Sequence, residues 1–170
     1  MKSKKNLILV GMSGAGKSTI AFLLSKKLNI KFIDVDGVLE DVTKMKIVEI
    51  FEKKGENFFR NLEEKITLKL LNSTNNVISL GGGGFINEKI RKEVLKNNFS
   101  FWLNCDTQTL LNRIQKKQKR PIAFNLSDSE LTELITERTK IYSKAQFKIN
   151  CHKLKKTEIV KKILKIHEHN

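Results

Sequence analysis

Proline is almost missing: Pro121 is the only one in 170 residues. That excludes a Pro-rich linker, and no Ser- or Gln-rich tract or internal repeat stands in for one. Long apolar runs are missing too. Stretches such as Leu7-Ile8-Leu9-Val10 are far too short to span a bilayer. The basic start (Lys2, Lys4, Lys5) precedes only four apolar residues before a glycine loop, which is not a secretory signal. A cytoplasmic protein with no membrane partner is expected. Cysteine is scarce: Cys105 and Cys151 stand far apart and form no ligand-spaced cluster. They read as small reduced fillers. His152, His167 and His169 lack metal-ligand spacing and read as solvated residues of the C-terminal tail.

Acidic residues are outnumbered, 18 against 33 Lys plus Arg, for a formal charge of +15. A nucleic-acid partner could use that excess through counterion release. A lysine-rich composition combined with an anionic nucleotide substrate accounts for it equally well. The lysines are scattered over helical segments with no interleaved aromatics to stack bases, so no nucleic-acid partner is expected. The length suits one compact domain, and the 39% hydrophobic content one core. A monomer is expected, because no long apolar helix face is left over.

Short apolar runs alternate with segments of helical period. Strands are expected over residues 6–10, 31–35, 77–80, 99–103 and 146–149. Helices are expected over 17–28, 38–43, 47–53, 56–72, 127–142 and 156–166, with two more starting after Asn87 and Asp106 as caps. This pattern argues for an α/β fold: a P-loop NTPase-type three-layer sandwich with a five-stranded parallel sheet, helices on both faces and a lid. Ligands of such sheets bind at the carboxyl ends of the strands.

Gly11-Met12-Ser13-Gly14-Ala15-Gly16-Lys17-Ser18 matches G-x-x-x-x-G-K-[ST] without a mismatch, between a buried-type strand and an amphipathic helix. Its backbone N–H groups can turn inward around phosphate oxygens, and the helix start adds its positive dipole end. Lys17 can reach the β- and γ-phosphates, and the Ser18 hydroxyl suits Mg²⁺. The expected ATP-binding set here is Gly11, Ser13, Gly14, Ala15, Gly16, Lys17, Ser18 and Thr19. The chain is too short for the insertions of a motor domain, and no N-K-x-D guanine signature follows the fourth strand. A small-molecule kinase remains.

Asp34 and Asp36 lie two apart at the end of the second expected strand, where period-two alternation starts both side chains on one face. The pair can hold the metal's water shell, with Asp34 as the metal-side carboxylate and Asp36 accepting the proton of an attacking hydroxyl. Asp36 could instead cap the helix expected near Val38.

These motifs resemble those of the shikimate kinase family, and the resemblance runs over nearly the whole chain. The P-loop and Phe32-Ile33-Asp34-Val35-Asp36 are similar to its first two signatures. Gly55-Glu56-Asn57-Phe58-Phe59-Arg60-Asn61-Leu62-Glu63 resembles G-E-x-x-F-R-x-x-E, and Ser79-Leu80-Gly81-Gly82-Gly83 its third-strand glycine motif. Arg120-Pro121 resembles the lid arginine, and Arg138 with Tyr142 fits R-x-x-x-Y. The resemblance implies Mg²⁺-dependent phosphoryl transfer from ATP to shikimate. Asp36, Arg60, Gly82, Gly83 and Arg138 would surround shikimate, which suits its chemistry: arginine forks bind carboxylates bidentately. Glu63, one helical turn on, would hold Arg60. Arg113 would pack on adenine. Arg120, in a lid at about 116–127, would reach the transferring group, so that Lys17, Asp36 and Arg120 form the catalytic set.

The chain departs from the family at three places. Lys140 stands where a proline is usual, Ile122-Ala123-Phe124 is only loosely similar, and Asn150-Cys151-His152-Lys153 lacks the usual asparagine-arginine-x-proline character. Two rivals stay open: a related small kinase acting on another polyol acid such as gluconate, and a non-catalytic or nucleic-acid-binding P-loop module.

Overall fold

The computed structural model describes residues 5–116 and 125–170. Five strands form one sheet: β1 (Leu7–Val10), β2 (Lys31–Asp34), β3 (Asn76–Ser79), β4 (Phe99–Asn104) and β5 (Phe147–Asn150). Their spatial order is β2-β3-β1-β4-β5, and every neighbouring pair is parallel. All residues of β1 and β3 are buried, as expected for a parallel sheet covered on both faces. The eight α-helices of the described residues provide that cover: α1 (Lys17–Leu28), α2 (Val35–Thr43), α3 (Ile47–Lys54), α4 (Glu56–Leu71), α5 (Glu88–Asn97), α6 (Thr107–Lys116), α7 (Asp128–Tyr142) and α8 (Lys156–Glu168). Helix α1 packs beside α8, and α4 beside α3 and α5.

Local signals place most boundaries. The Asn87 side chain accepts from the Ile90 N–H at the start of α5, and Ser127 forms a capping box with Glu130 at the start of α7. Asp106 accepts from the Thr109 N–H at 2.9 Å and opens α6. At the opposite end of the sheet, buried Asn6 donates to Asn98 at 2.8 Å and accepts from the Asn76 N–H at 3.0 Å. This one side chain ties together the starts of three strands.

One boundary differs from expectation, and it matters for function. Strand β2 stops at Asp34, and Val35 already begins α2, with Asp34 at its N-cap but making no side-chain cap bond. Val35 and Leu39, one helical turn apart, are both fully buried, and packing them draws the helix start forward. Asp36 therefore lies in the first turn of α2 rather than on the strand. The strand-alternation argument for the aspartate pair fails, as does the idea that Asp36 caps a helix starting near Val38.

The chain passes from β1 out to β2, returns to β3 beside β1, then crosses to β4 on the other side. The switch point is thus at β1, where doubly wound sheets open their ligand crevice.

Candidate active site

The loop after β1 is built to present N–H groups inward. Gly11 has φ 140°, and a Cβ there would lie 2.9 Å from the Leu103 carbonyl oxygen, so a side chain is excluded. Gly16, at φ 88°, is the N-cap of α1. Lys17 is 5% exposed, and its Nζ donates to the carbonyls of Gly11 at 2.8 Å and Met12 at 2.9 Å, which holds the ammonium across the mouth of the loop. The hydroxyls of Ser18 and Ser79 lie 3.3 Å apart, linking the loop to the end of β3. From α6, Arg113 donates to the Gly14 carbonyl at 3.0 Å. On this side a cavity of about 460 Å³ opens between the P-loop, α6 and the turn after β5, with Gly16, Thr19, Arg113, His152 and Lys153 among its walls.

A second cavity, of about 280 Å³, lies on the other side of the P-loop. Met12, Ser13 and Ser18 form the wall nearest the loop, and Asp34 and Asp36 enter from the β2–α2 junction. Arg60 and Glu63 enter from α4, Arg138 from α7, and the Gly81–Gly83 backbone lines the remaining side. The glycines fit because neighbours occupy the space a side chain would need. A Cβ on Gly81 would sit 2.8 Å from Asp36 Oδ1 and 2.9 Å from Glu63 Oε1, and one on Gly82 2.8 Å from Ser13 Oγ.

Charge in this cavity is organised around an ion pair whose carboxylate is buried. Glu63, 2% exposed, accepts from Arg60 Nη1 at 2.7 Å. Burial pushes the Glu63 carboxyl above the usual carboxylate range. The Arg60 and Arg138 guanidiniums pull it back down, and the Asp36 charge adds to the rise. Arg60 also lies over the Phe59 ring, 5.2 Å from its centroid, and Phe59 packs at 4.6 Å on Phe51. The guanidinium is thus held by the Glu63 carboxylate, a longer contact to Glu56 at 3.6 Å and one aromatic face. Across the cavity the buried Tyr142 hydroxyl donates to the Gly82 carbonyl at 2.5 Å, which fixes the glycine backbone one helical turn from Arg138. Two guanidiniums and the Asp36 carboxylate in one cavity, next to a phosphate cradle, suit a small anion that carries hydroxyls.

The structure thus brings Asp34, Asp36, Arg60, Gly82, Gly83 and Arg138 around one cavity, with Ser13 and Ser18 on its P-loop wall. Arg113 and Thr19 belong to the other cavity. Arg120 and most of the expected lid lie outside the described residues. One expectation from the sequence is overturned and one is extended. Cys105 and Cys151, far apart in sequence, are neighbours in space: they follow neighbouring strands whose last residues, Asn104 and Asn150, are in register, and the Cys151 N–H donates to the Asn104 carbonyl at 2.9 Å. His152 is not a tail residue. Its Nδ1 lies 3.1 Å from Asp106 Oδ2 at the mouth of the larger cavity. Strand adjacency, which chain spacing does not reveal, brings all four together. Tyr142 and Phe59 lie in motifs the sequence shows, but the Tyr142 bond to the Gly82 carbonyl and the packing of Phe59 on Phe51 are tertiary contacts that it does not.

The architecture matches proteins of known activity. A family model described as shikimate kinase matches residues 13–168. A shikimate kinase of Sulfurihydrogenibium sp. is 39% identical over 160 residues, covering 94% of this chain and 96% of the relative. The chain belongs to the shikimate kinase family. A shikimate kinase of Bartonella henselae is 37% identical over 164 residues, covering 96% of this chain and 78% of that protein. Among solved structures, shikimate kinase from Acinetobacter baumannii in complex with shikimate has a TM-score of 0.93 at 27% identity, covering 99% and 96% of the two chains. A gluconokinase from Sinorhizobium meliloti has a TM-score of 0.64 at 13% identity, covering 99% and 94%, so it shares the fold alone. As a member of the shikimate kinase family the chain is a small-molecule kinase.

Proposed function

We propose that the chain transfers the γ-phosphoryl group of ATP to the 3-hydroxyl of shikimate, giving shikimate 3-phosphate and ADP. The observation that carries this reading is the cavity where Arg60, Arg138 and Asp36 face one another across a wall shared with the P-loop. In this reading the two guanidiniums grip the shikimate carboxylate and set the ring's orientation. Asp36 accepts from a ring hydroxyl and takes its proton as the oxygen attacks phosphorus. The P-loop N–H groups and Lys17 cradle the phosphates, with Lys17 exchanging its two carbonyl partners for phosphate oxygens. Adenine lies in the larger cavity, against Arg113.

The Ser18 hydroxyl and the Asp34 carboxylate line the same cavity and are hard oxygen donors. A small donor set fits Mg²⁺, which keeps most of its waters beside nucleotide phosphates. These two residues would hold the ion, which would offset phosphate charge. Residues 1–170 are read as one kinase domain with a lid at about 116–127, from which Arg120 reaches the transferring group. The enzyme is read as a cytoplasmic monomer with no nucleic-acid or membrane partner. No helix of the described residues is long and apolar enough to cross a membrane.

Coupled ADP release with Mg-ATP and shikimate tests the proposal, with gluconate and no acceptor in parallel. Shikimate-dependent release that stops without Mg²⁺ is the expected result. Turnover with gluconate but not shikimate would overturn the substrate. ATP binding without release for any acceptor would favour a binding module.

A further inference from the structure

Cys105 and Cys151 play no part in the reaction described above, yet both lie in the wall of the larger cavity, beside Asp106 and His152. The register that pairs Asn104 with Asn150 brings the next residues of both strands side by side. Adjacent strands run about 4.8 Å apart, inside the Cα separation that a disulfide spans. Both cysteines are free, and the Cys151 N–H donates to the Asn104 carbonyl at 2.9 Å, so the strand pairing continues to the two cysteines.

We propose that Cys105 and Cys151 form an oxidisable thiol pair, closed to a disulfide by a hydroperoxide, that lowers the enzyme's affinity for ATP. This rests on assigning the larger cavity to the nucleotide.

The surroundings divide the roles. Cys105 is half-buried and reaches the cavity, whereas Cys151 is buried. The neighbouring Cys151 thiol lowers Cys105 to about 7 against the cost of burial, with the charges of Arg113 and Lys17 assisting. The Cys105 neighbour and burial push Cys151 up. Cys105 is therefore the nucleophile. Its thiolate attacks one peroxide oxygen: an S–O bond forms, the O–O bond breaks, and hydroxide leaves and takes up a proton as water. Cys151 then attacks the sulfenic sulfur, forming the S–S bond and expelling the second oxygen as water with the Cys151 proton. The two sulfurs lose two electrons, and one hydrogen peroxide becomes two waters.

The cross-link lands where it can act on the site. Cys105 Sγ now contacts the Ala15 carbonyl of the P-loop at 3.7 Å. A disulfide turns that sulfur towards Cys151 and ties the β4–α6 loop, with Asp106, to the turn that carries His152. Both are walls of the cavity.

The test treats the full chain with hydrogen peroxide and follows intact mass, a cross-link map and kinetics, before and after reduction by dithiothreitol. The expected results are a loss of two hydrogens per chain, a peptide joining residues 105 and 151, and a KM for ATP raised about tenfold, the scale of one lost hydrogen bond. The KM for shikimate should stay put, and the reductant should restore both mass and kinetics. Cys105→Ser and Cys151→Ala, each compared with itself before and after peroxide, should show no reversible rise. No mass loss in the unsubstituted chain would overturn the pair, without relying on a variant's folding. Mass loss with an unchanged KM for ATP would overturn the effect on affinity. Protection of reduced Cys105 from iodoacetamide by ATP tests the cavity's assignment separately.

Discussion

Replacing Gly83 with alanine perturbs the proposed shikimate clamp without removing a charged group. Gly83 has φ −89° and ψ −11°, a conformation alanine accepts, so backbone strain plays no part. The added Cβ would sit 2.7 Å from Arg60 Cζ and 2.9 Å from Nη2, with Nη1 nearer still. Carbon needs about 3.5 Å from its neighbours, so the guanidinium must retreat, and it is the flexible partner. Its 2.7 Å contact with Glu63 is then broken or bent. Breaking a buried pair from one side costs about 3–5 kcal/mol if the stranded charge persists. Glu63 can take a proton instead, since burial already raises its pKa. The expected loss of stability is therefore nearer about 1–3 kcal/mol, that of a buried polar group missing its partner, read from urea midpoints. One charged hydrogen bond to the substrate carboxylate is worth about 1.5–3 kcal/mol, so the KM for shikimate should rise roughly 10- to 100-fold. The KM for ATP should move by less than about twofold. Gly84→Ala is the matched control, because its Cβ would lie 3.4 Å from Leu80 Cβ, close to ordinary contact. A wild-type KM for shikimate in Gly83→Ala would remove Arg60 from the clamp. An equal rise for ATP would mean general loosening of the site.

Asp36→Asn should keep ATP binding and lose about 100-fold or more in kcat; a folded variant with normal turnover would take Asp36 out of the mechanism. Glu63→Gln should flatten the dependence of stability on pH. The Glu63 pKa is raised in the folded state, so its contribution is full below the unfolded value near 4.3 and is lost as pH rises through the folded value. The glutamine variant lacks that decline, and parallel urea midpoints for both proteins from pH 4 to 8 would refute the assignment. Asp106 behaves in the opposite sense. The Thr109 N–H, His152 and the Thr109 hydroxyl hold its carboxyl well below the usual range, so its contribution is present above about 3.9 and fades as pH falls. Asp106→Ala should cost about 1 kcal/mol at pH 7 through the lost cap, and the gap between the two melting curves should narrow in acid.

What could be read from the sequence was local. The P-loop, the caps at Asn87, Asp106 and Ser127, and the pairing of Arg60 with Glu63 each rest on residues within a few positions of one another, where backbone geometry and side-chain reach decide the outcome. The alternation of strands and helices was enough for the α/β class. The position of Asp36 was misjudged, because a strand period and a helix start compete over two residues. Burial of Val35 and Leu39, a tertiary effect, settles that competition.

What could not be read depends on which strand ends are neighbours. The order β2-β3-β1-β4-β5 sets Asp36 opposite Glu63 across Gly81 and joins the ends of β4 and β5. From the first adjacency comes the proposed acid site; from the second come the Cys105–Cys151 pair and the Asp106–His152 contact. The same turn after β5 carries Asn150-Cys151-His152-Lys153, where a departure from the family pattern is expected from the resemblance. In the proposed assignment this turn falls on the nucleotide's side of the P-loop, and the arginine clamp on the other. A change confined to that side can alter how ATP is held and leave the choice of acceptor untouched. The peroxide experiment separates those two quantities by reading the KM for ATP apart from that for shikimate.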